Sequence, residues 1–340
     1  MSHTRRPLIS AIPVAVLAAF ALTIPAPASA VAVGDVPAVT ADNGARVTAQ
    51  RSVDDRILDV TIDSPALGTT VTTRLLLPAG WSPRSRRAYP VLYLLHGCCE
   101  PQSYAAWTAY TDMESAVAEL DVMVVMPPGG YAGWYSDWWN HGNGGMPGWE
   151  TFHLTELRQL LERGYHAGQR RAIAGLSMGG FGALSYAARH PGMFVAAASY
   201  SGAVHSQYDP PTGSTIVQTT LLLGGHDPLA LWGDPVLQRD IWAAHNPYHL
   251  APLLDMPLYL ACGNGQPGPL DPPGTGQDVV EQQLEGENRA LVRRLRELGA
   301  DATVNLYGPG THTWPYWERE FARSLPTLMQ PLRVRLPAAA

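Results

Sequence analysis

Residues 171–190 read RAIAGLSMGGFGALSYAARH, and the interpretation of this stretch decides the fold. A short apolar run, Ala172 to Ala174, leads into Gly175-Leu176-Ser177-Met178-Gly179. Small and apolar residues suited to a helix follow from Gly180 to Arg189. Strand, sharp turn and helix are the setting in which G-x-S-x-G forms a nucleophile elbow. The glycines answer a steric demand: the serine sits in a strained turn, and side chains two residues to either side would strike the neighbouring strand and helix. The helix then aims its free N–H groups and positive dipole end at the place where an oxyanion forms. The competing interpretation is a Gly-rich structural turn, because the pentapeptide arises by chance in a chain with 33 glycines. The context favours Ser177 as a serine nucleophile.

Outward from the elbow, buried strands alternate with helices. Leu58, Val60 and Ile62, then Thr70 to Leu77, predict two antiparallel strands. Val91–Leu95 is a continuous apolar run, as expected of a strand buried on both faces, and it ends in His96-Gly97. Helices are predicted over 110–119 and 149–163, with a strand over Val122–Met126 between them. The aromatic loop 131–149 is either a packed surface loop or one wall of a substrate cleft. Residues 203–250 lack strand pattern and predict an irregular cap or rim. Strands at 195–199, 257–261 and 303–307, with helices over 279–299 and 314–328, complete an α/β fold with a mainly parallel sheet. One domain over 47–330 is expected, after a flexible lead-in at 31–46 and before a tail at 331–340.

A serine nucleophile needs a base within hydrogen-bond reach and a carboxylate to set that base's tautomer. In this kind of fold they follow the serine in the order acid, then His. His312 fits the last place, in a Gly-Pro loop after the final strand; the other ten histidines lie elsewhere. His245 and His249 have i, i+4 spacing, but Pro247 breaks a helix there, so no metal site is expected. The acid follows the 257–261 strand: Asp271, Asp278, Glu281, Glu285 and Glu287 all qualify by spacing. The oxyanion hole should combine the backbone N–H of Met178 with one from the loop after His96-Gly97, at Cys98.

Composition narrows the function class. The charged share is 15%, the net charge is −6, and no basic cluster is present, so nucleic acid is not an expected partner. All 23 basic residues are Arg, which excludes lysine-based covalent chemistry. Residues 1–30 read as a signal peptide: Arg5 and Arg6, an apolar stretch from Leu8 to Ile24, and a small-residue site ending at Ala30. No later segment approaches the roughly 20 apolar residues of a membrane span. A secreted protein without an integral membrane segment in its mature chain is therefore expected. Cys98, Cys99 and Cys262 are read as small buried thiols, a Cys98–Cys99 vicinal bridge being the less favoured alternative.

The stretches YLLHG, VMPPGG, YSDWW, WETF, GLSMGG, CGNG and GPGTHTWPYW, spread from about residue 56 to 328, carry a family resemblance. The chain resembles the secreted mycobacterial mycolyltransferases of the antigen 85 group and their actinobacterial esterase relatives. The resemblance implies an α/β-hydrolase fold, no cofactor, and acyl transfer through a Ser-Glu-His triad in which Ser177 and His312 match the nucleophile and base. Its acid lies seven residues before an Asn, which from Asn288 is Glu281, whereas the local Leu-Glu-Gly string matches Glu285. Glu281 is preferred because the loop to His312 then needs almost no gap. The resemblance also implies that His96 and Cys99 stand at sugar-contacting positions, where the family has Asp and Arg. It places Cys262 beside the acid helix, and Trp314 is read as packing beside His312 in the substrate site. The expected activity is hydrolysis of a small-molecule or glycolipid ester by a monomer associated with the cell envelope. The alternatives are acyl transfer to a sugar, and a non-catalytic carbohydrate-binding relative.

Overall fold

The computed structural model describes residues 36–100 and 103–337. The expected signal peptide lies outside them. One nine-stranded sheet runs through the described chain in the order β1-β2-β3-β5-β4-β6-β7-β8-β9. Its strands are β1 (Arg46–Ser52), β2 (Ile57–Ser64), β3 (Thr69–Leu76), β4 (Tyr89–Leu95), β5 (Met123–Met126), β6 (Ala167–Leu176), β7 (Ala197–Tyr200), β8 (Leu258–Gly263) and β9 (Ala302–Gly308). The first three strands and the β3–β5 pair are antiparallel. From β5 to β9 every pairing is parallel.

Parallel strands must be covered on both faces, and the alternation of side chains along β4 and β6 supplies two apolar surfaces. Val91, Tyr93, Leu95 and Ile173 face one core. That core is closed by the helix over 149–164 (α3), by α4 (Met178–Arg189) and by α8 (Val279–Leu298). Leu92, Leu94, Ala172 and Ala174 face the other, closed by α1 (Ala106–Tyr110), α2 (Met113–Ala116) and α9 (Trp314–Leu332). Between β7 and β8 lie α5 (Thr212–Leu223), α6 (Arg239–His245) and α7 (Pro247–Leu250).

Several expectations change. β1 joins the sheet although its own residues alternate poorly, because its partner β2 is almost wholly buried. Residues 37–46, expected as a loose lead-in, pack on α3: Ala41 and Ala45 are buried, and Gln159 and Arg163 bind Asp42. Of the predicted 110–119 helix only Tyr110, the end of α1, and the four residues of α2 are helical. Helix α3 widens into a π turn over Phe152–Leu157. Helix α9 runs past Pro326 and Pro331 to Leu332, because Met329 and Leu332 complete the second core, which Val334 of the expected tail also joins. The first part of the aromatic loop is neither of the two alternatives. Trp134, Tyr135 and Trp138 are core residues, and Trp134 packs against Phe181 and Trp232 beneath the 203–250 segment.

Glu287 on α8 is fully buried. One carboxyl oxygen accepts the His205 N–H at 3.0 Å; the other has no partner among the described residues. Burial pushes its pKa up to about 8 from 4.5. Between these values the folded protein holds a proton that the unfolded chain has released, so stability is complete at the acid end and declines as pH rises toward about 8. Glu287→Gln is expected to flatten this slope in urea denaturation at about pH 5 and about pH 8. A variant that loses as much stability across the interval as the wild type would refute the assignment.

Candidate active site

The carboxyl ends of the parallel strands bring the predicted groups together. Ser177 follows β6 with φ 53° and ψ −120°, a left-handed conformation costly for a residue with a Cβ. Its N–H donates to Tyr200 O at 2.9 Å, and its carbonyl accepts from Phe181 N–H at 3.1 Å. The flanking glycines allow close backbone contact: a Cβ on Gly179 would lie 2.5 Å from the His96 carbonyl oxygen, and one on Gly175 would lie 2.3 Å from that of Gly179.

His312 stands in the loop between β9 and α9. Its Nε2 is 3.0 Å from Ser177 Oγ, and its Nδ1 is 2.7 Å from Glu281 Oε2. Glu281 is fully buried in the first turn of α8. Its other oxygen, Oε1, accepts from Gly263 N–H and Ser201 Oγ, each at 2.7 Å, and from the Cys262 thiol at 3.4 Å. Burial and the Glu281 charge push the Cys262 thiol up, so it stays a protonated donor. A carboxylate at Nδ1 sets the tautomer with hydrogen on Nδ1, leaving Nε2 to accept the serine proton. The arrangement can therefore activate a hydroxyl for attack on a carbonyl.

Asp278 sets this geometry. It caps α8, accepting from Val280 and Glu281 N–H groups at 3.0 Å, and its second oxygen accepts the His312 N–H at 2.9 Å. Asp278 and Glu281 have the spacing of a capping box, in which the glutamate would turn back to the cap N–H. Here that N–H donates to Gly265 O at 2.7 Å instead, and Glu281 faces His312. The other acids are engaged elsewhere: Glu285 pairs with Arg289 at 2.6 Å, and Asp271 with Thr311 and Tyr316. No motif marks Ser201; β7 carries it there by lying between β6 and β8.

Gly97 lies against the elbow, where an added Cβ would be 3.3 Å from that of Ser177. Cys98 therefore follows directly beside the serine, and Met178 opens α4 on the other side. Three expectations are corrected here. Cys98 and Cys99 are not thiols but a vicinal disulfide; Cys99 adopts φ 77°, and its N–H donates to Tyr131 O at 2.8 Å. His96 does not face a substrate: it is 1% exposed, and burial lowers its pKa to about 4. The ring beside His312 is Trp317, edge-on at 4.8 Å. Trp314 lies one ring further out, stacked on Tyr110 at 5.1 Å.

The Esterase family model matches residues 64–328. The chain belongs to this family. The esterase-family chain is 32% identical over 263 residues to Esterase Rv1288 of Mycobacterium tuberculosis, covering 75% of itself but 56% of that protein. It therefore spans a little over half of that relative's length. It is 30% identical to the diacylglycerol acyltransferase/mycolyltransferase Ag85B of Mycobacterium leprae, covering 72% of itself and 76% of that protein. Among solved structures it resembles MPT51 (FbpC1) of Mycobacterium tuberculosis, with TM-score 0.66, 24% identity, and coverage of 80% and 97% of the two chains. An S-formylglutathione hydrolase from Agrobacterium tumefaciens aligns with TM-score 0.62 at 17% identity, covering 84% and 99%. The esterase-family chain thus has the α/β-hydrolase fold. Among its described residues no helix is long and apolar enough to cross a membrane.

Asp278→Ala removes the cap of α8 and the acceptor for the His312 N–H. It is expected to cost about 1 kcal/mol in urea unfolding and to lower kcat for ester hydrolysis. A variant with wild-type kcat would show that the cap does not set the His312 loop.

Proposed function

We propose that this chain is a secreted serine esterase that cleaves carboxylic esters through an acyl-enzyme. The observation that carries the reading is the continuous path of hydrogen bonds from Ser177 through His312 to a fully buried Glu281. Ser177 Oγ attacks the ester carbonyl while His312 Nε2 takes its proton. The negative charge that develops on the carbonyl oxygen is held by the Met178 and Cys98 N–H groups. Glu281 stabilises the imidazolium, which then protonates the departing alcohol. Water, activated in turn by His312, releases the acid. The reading takes residues 47–330 as one catalytic domain, and it rests secretion on the charged, apolar and small-residue pattern of residues 1–30. The substrate is a small-molecule or glycolipid ester, and no cofactor takes part.

A second reading, release of the acyl group to a sugar hydroxyl, is favoured by the likeness to Ag85B, whose name is that of an acyltransferase. The two share every step up to the acyl-enzyme. They differ in which nucleophile enters second.

Hydrolysis of short p-nitrophenyl esters is expected of the purified protein, with covalent labelling of Ser177 by a fluorophosphonate. Ser177→Ala should fold normally and lose about 10⁴-fold or more in kcat. Glu281→Gln should lose about 10²-fold or more, and Glu285→Gln should stay close to wild type. No turnover and no labelling would overturn the esterase reading; a large loss only at Glu285 would overturn the choice of acid. Acylated sugar formed from an acyl donor and trehalose would decide for transfer over hydrolysis.

A further inference from the structure

Two buried histidines have no part in the chemistry above, yet they are linked to it. Gly129 N–H lies 2.6 Å from His96 Nε2. A backbone N–H only donates, so this nitrogen carries no hydrogen, and the neutral ring has its hydrogen on Nδ1. Nδ1 is 2.5 Å from the Gly97 carbonyl oxygen and donates to it. The same reasoning applies one step back. His153 Nε2 is 2.7 Å from the Pro128 carbonyl oxygen, a pure acceptor, so Nε2 carries the hydrogen and Nδ1 accepts from Tyr186 OH at 2.9 Å.

The two steps join through the backbone. Pro128 C=O and Gly129 N–H belong to one planar trans peptide and point in opposite directions, as do Gly97 C=O and Cys98 N–H. The path therefore runs from Tyr186 O–H to His153, across the 128–129 peptide to His96, and across the 97–98 peptide to the Cys98 N–H. Every dipole along it has the same sense. Around the loop, Tyr135 OH donates to the His96 carbonyl at 2.9 Å and Cys99 N–H to Tyr131 O at 2.8 Å. Among the described residues the Cys98 N–H has no acceptor of its own, and it follows Gly97, which touches the Ser177 turn.

We propose that His153 and His96 are positioning residues that aim and polarise the Cys98 N–H toward the oxyanion formed on attack by Ser177. The proposal rests on the esterase reading. Fixing a carbonyl fixes the N–H of its own peptide, and hydrogen bonds aligned in series strengthen one another. Both rings must stay uncharged for the path to hold, since a proton added to His96 Nε2 would meet the Gly129 N–H head-on. Burial provides for this, lowering His96 to about 4 and His153 to about 3. The effect belongs to the transition state, where the oxyanion carries charge, and not to the bound ester.

The test begins on the wild-type protein. Nitrogen-15 correlation spectra of the histidine rings are expected to show His96 with hydrogen on Nδ1 and His153 with hydrogen on Nε2; the opposite tautomer at either ring overturns the relay. His96→Leu, which has no donor, is expected to lower kcat about 10²-fold, the scale of a lost oxyanion donor, with KM within about twofold. Its affinity for a trifluoromethyl ketone, which forms a tetrahedral oxyanion on Ser177, should fall by a similar factor. His96→Asn, whose amide can still donate to Gly97 O, should recover part of both, and Tyr186→Phe should lower kcat by a few-fold at unchanged KM. A raised KM with unchanged kcat, or unchanged affinity for the ketone, overturns the proposal. A wild type that no fluorophosphonate labels, with the tautomers as stated, would instead sink the esterase reading beneath it.

Discussion

The rest of the structure depends on one close contact, that of the elbow after β6 with the end of β4. Ser177 can hold its left-handed backbone only while neighbouring atoms leave it no alternative. Gly175 and Gly179 permit that crowding, because any Cβ on either would overlap backbone atoms. Helix α4 continues the same logic: Gly180, Gly182 and Ala183 are buried, and the ring of Tyr135 lies where a Cβ of Gly182 would stand. Small residues in sequence thus become a helix seated low on the sheet. Its first turn then faces the space between Ser177 and the loop after His96. Strain in one residue is offset by packing across two cores.

Glu281 and His312 are held by a different device. Asp278 spends one carboxylate oxygen on the start of α8 and the other on the backbone of His312. The helix that carries Glu281 and the loop that carries His312 are thereby fastened at a common point. Glu281 itself accepts four hydrogen bonds, counting His312, so neither oxygen of this fully buried carboxyl group is left without a partner. Removing the charge on Glu281 would leave Ser201 and Gly263 aimed at a weaker acceptor. The cost of burying it is met by groups that also fix its orientation.

Local pattern made much of this legible beforehand. Buried strands, the Gly-framed serine and the His in a Gly-Pro loop all depend on neighbours within a few residues, so the parallel sheet and the meeting of Ser177 with His312 could be anticipated. Spacing alone left five acids open, and the preference for Glu281 over Glu285 is what the family resemblance implies; the capping pattern at Asp278 was there to be read as well. What sequence did not convey was burial by distant segments. His96 ends a strand in plain view of the elbow, yet Gly129 and Tyr135 enclose it from the next crossover. Trp314 precedes Trp317 by one helical turn, and only the tilt of α9 decides which ring meets His312. Residues 37–46 and 331–336 look like loose ends until α3 and the second core are present to receive them.

The three groups of the site sit at unequal depths in the sheet. Ser177 is carried by β6, which has a strand bonded on each side, whereas His312 follows β9, an edge strand that bonds to β8 alone. None of the residues of β9 is fully buried. Opening begins where contacts are fewest, so partial fraying at this margin would withdraw His312 while Ser177 stayed in its strained turn. Such a molecule would keep its central architecture and lose its reactivity. On the proposed reading, reactivity would therefore depend on the rim of the sheet as much as on its centre.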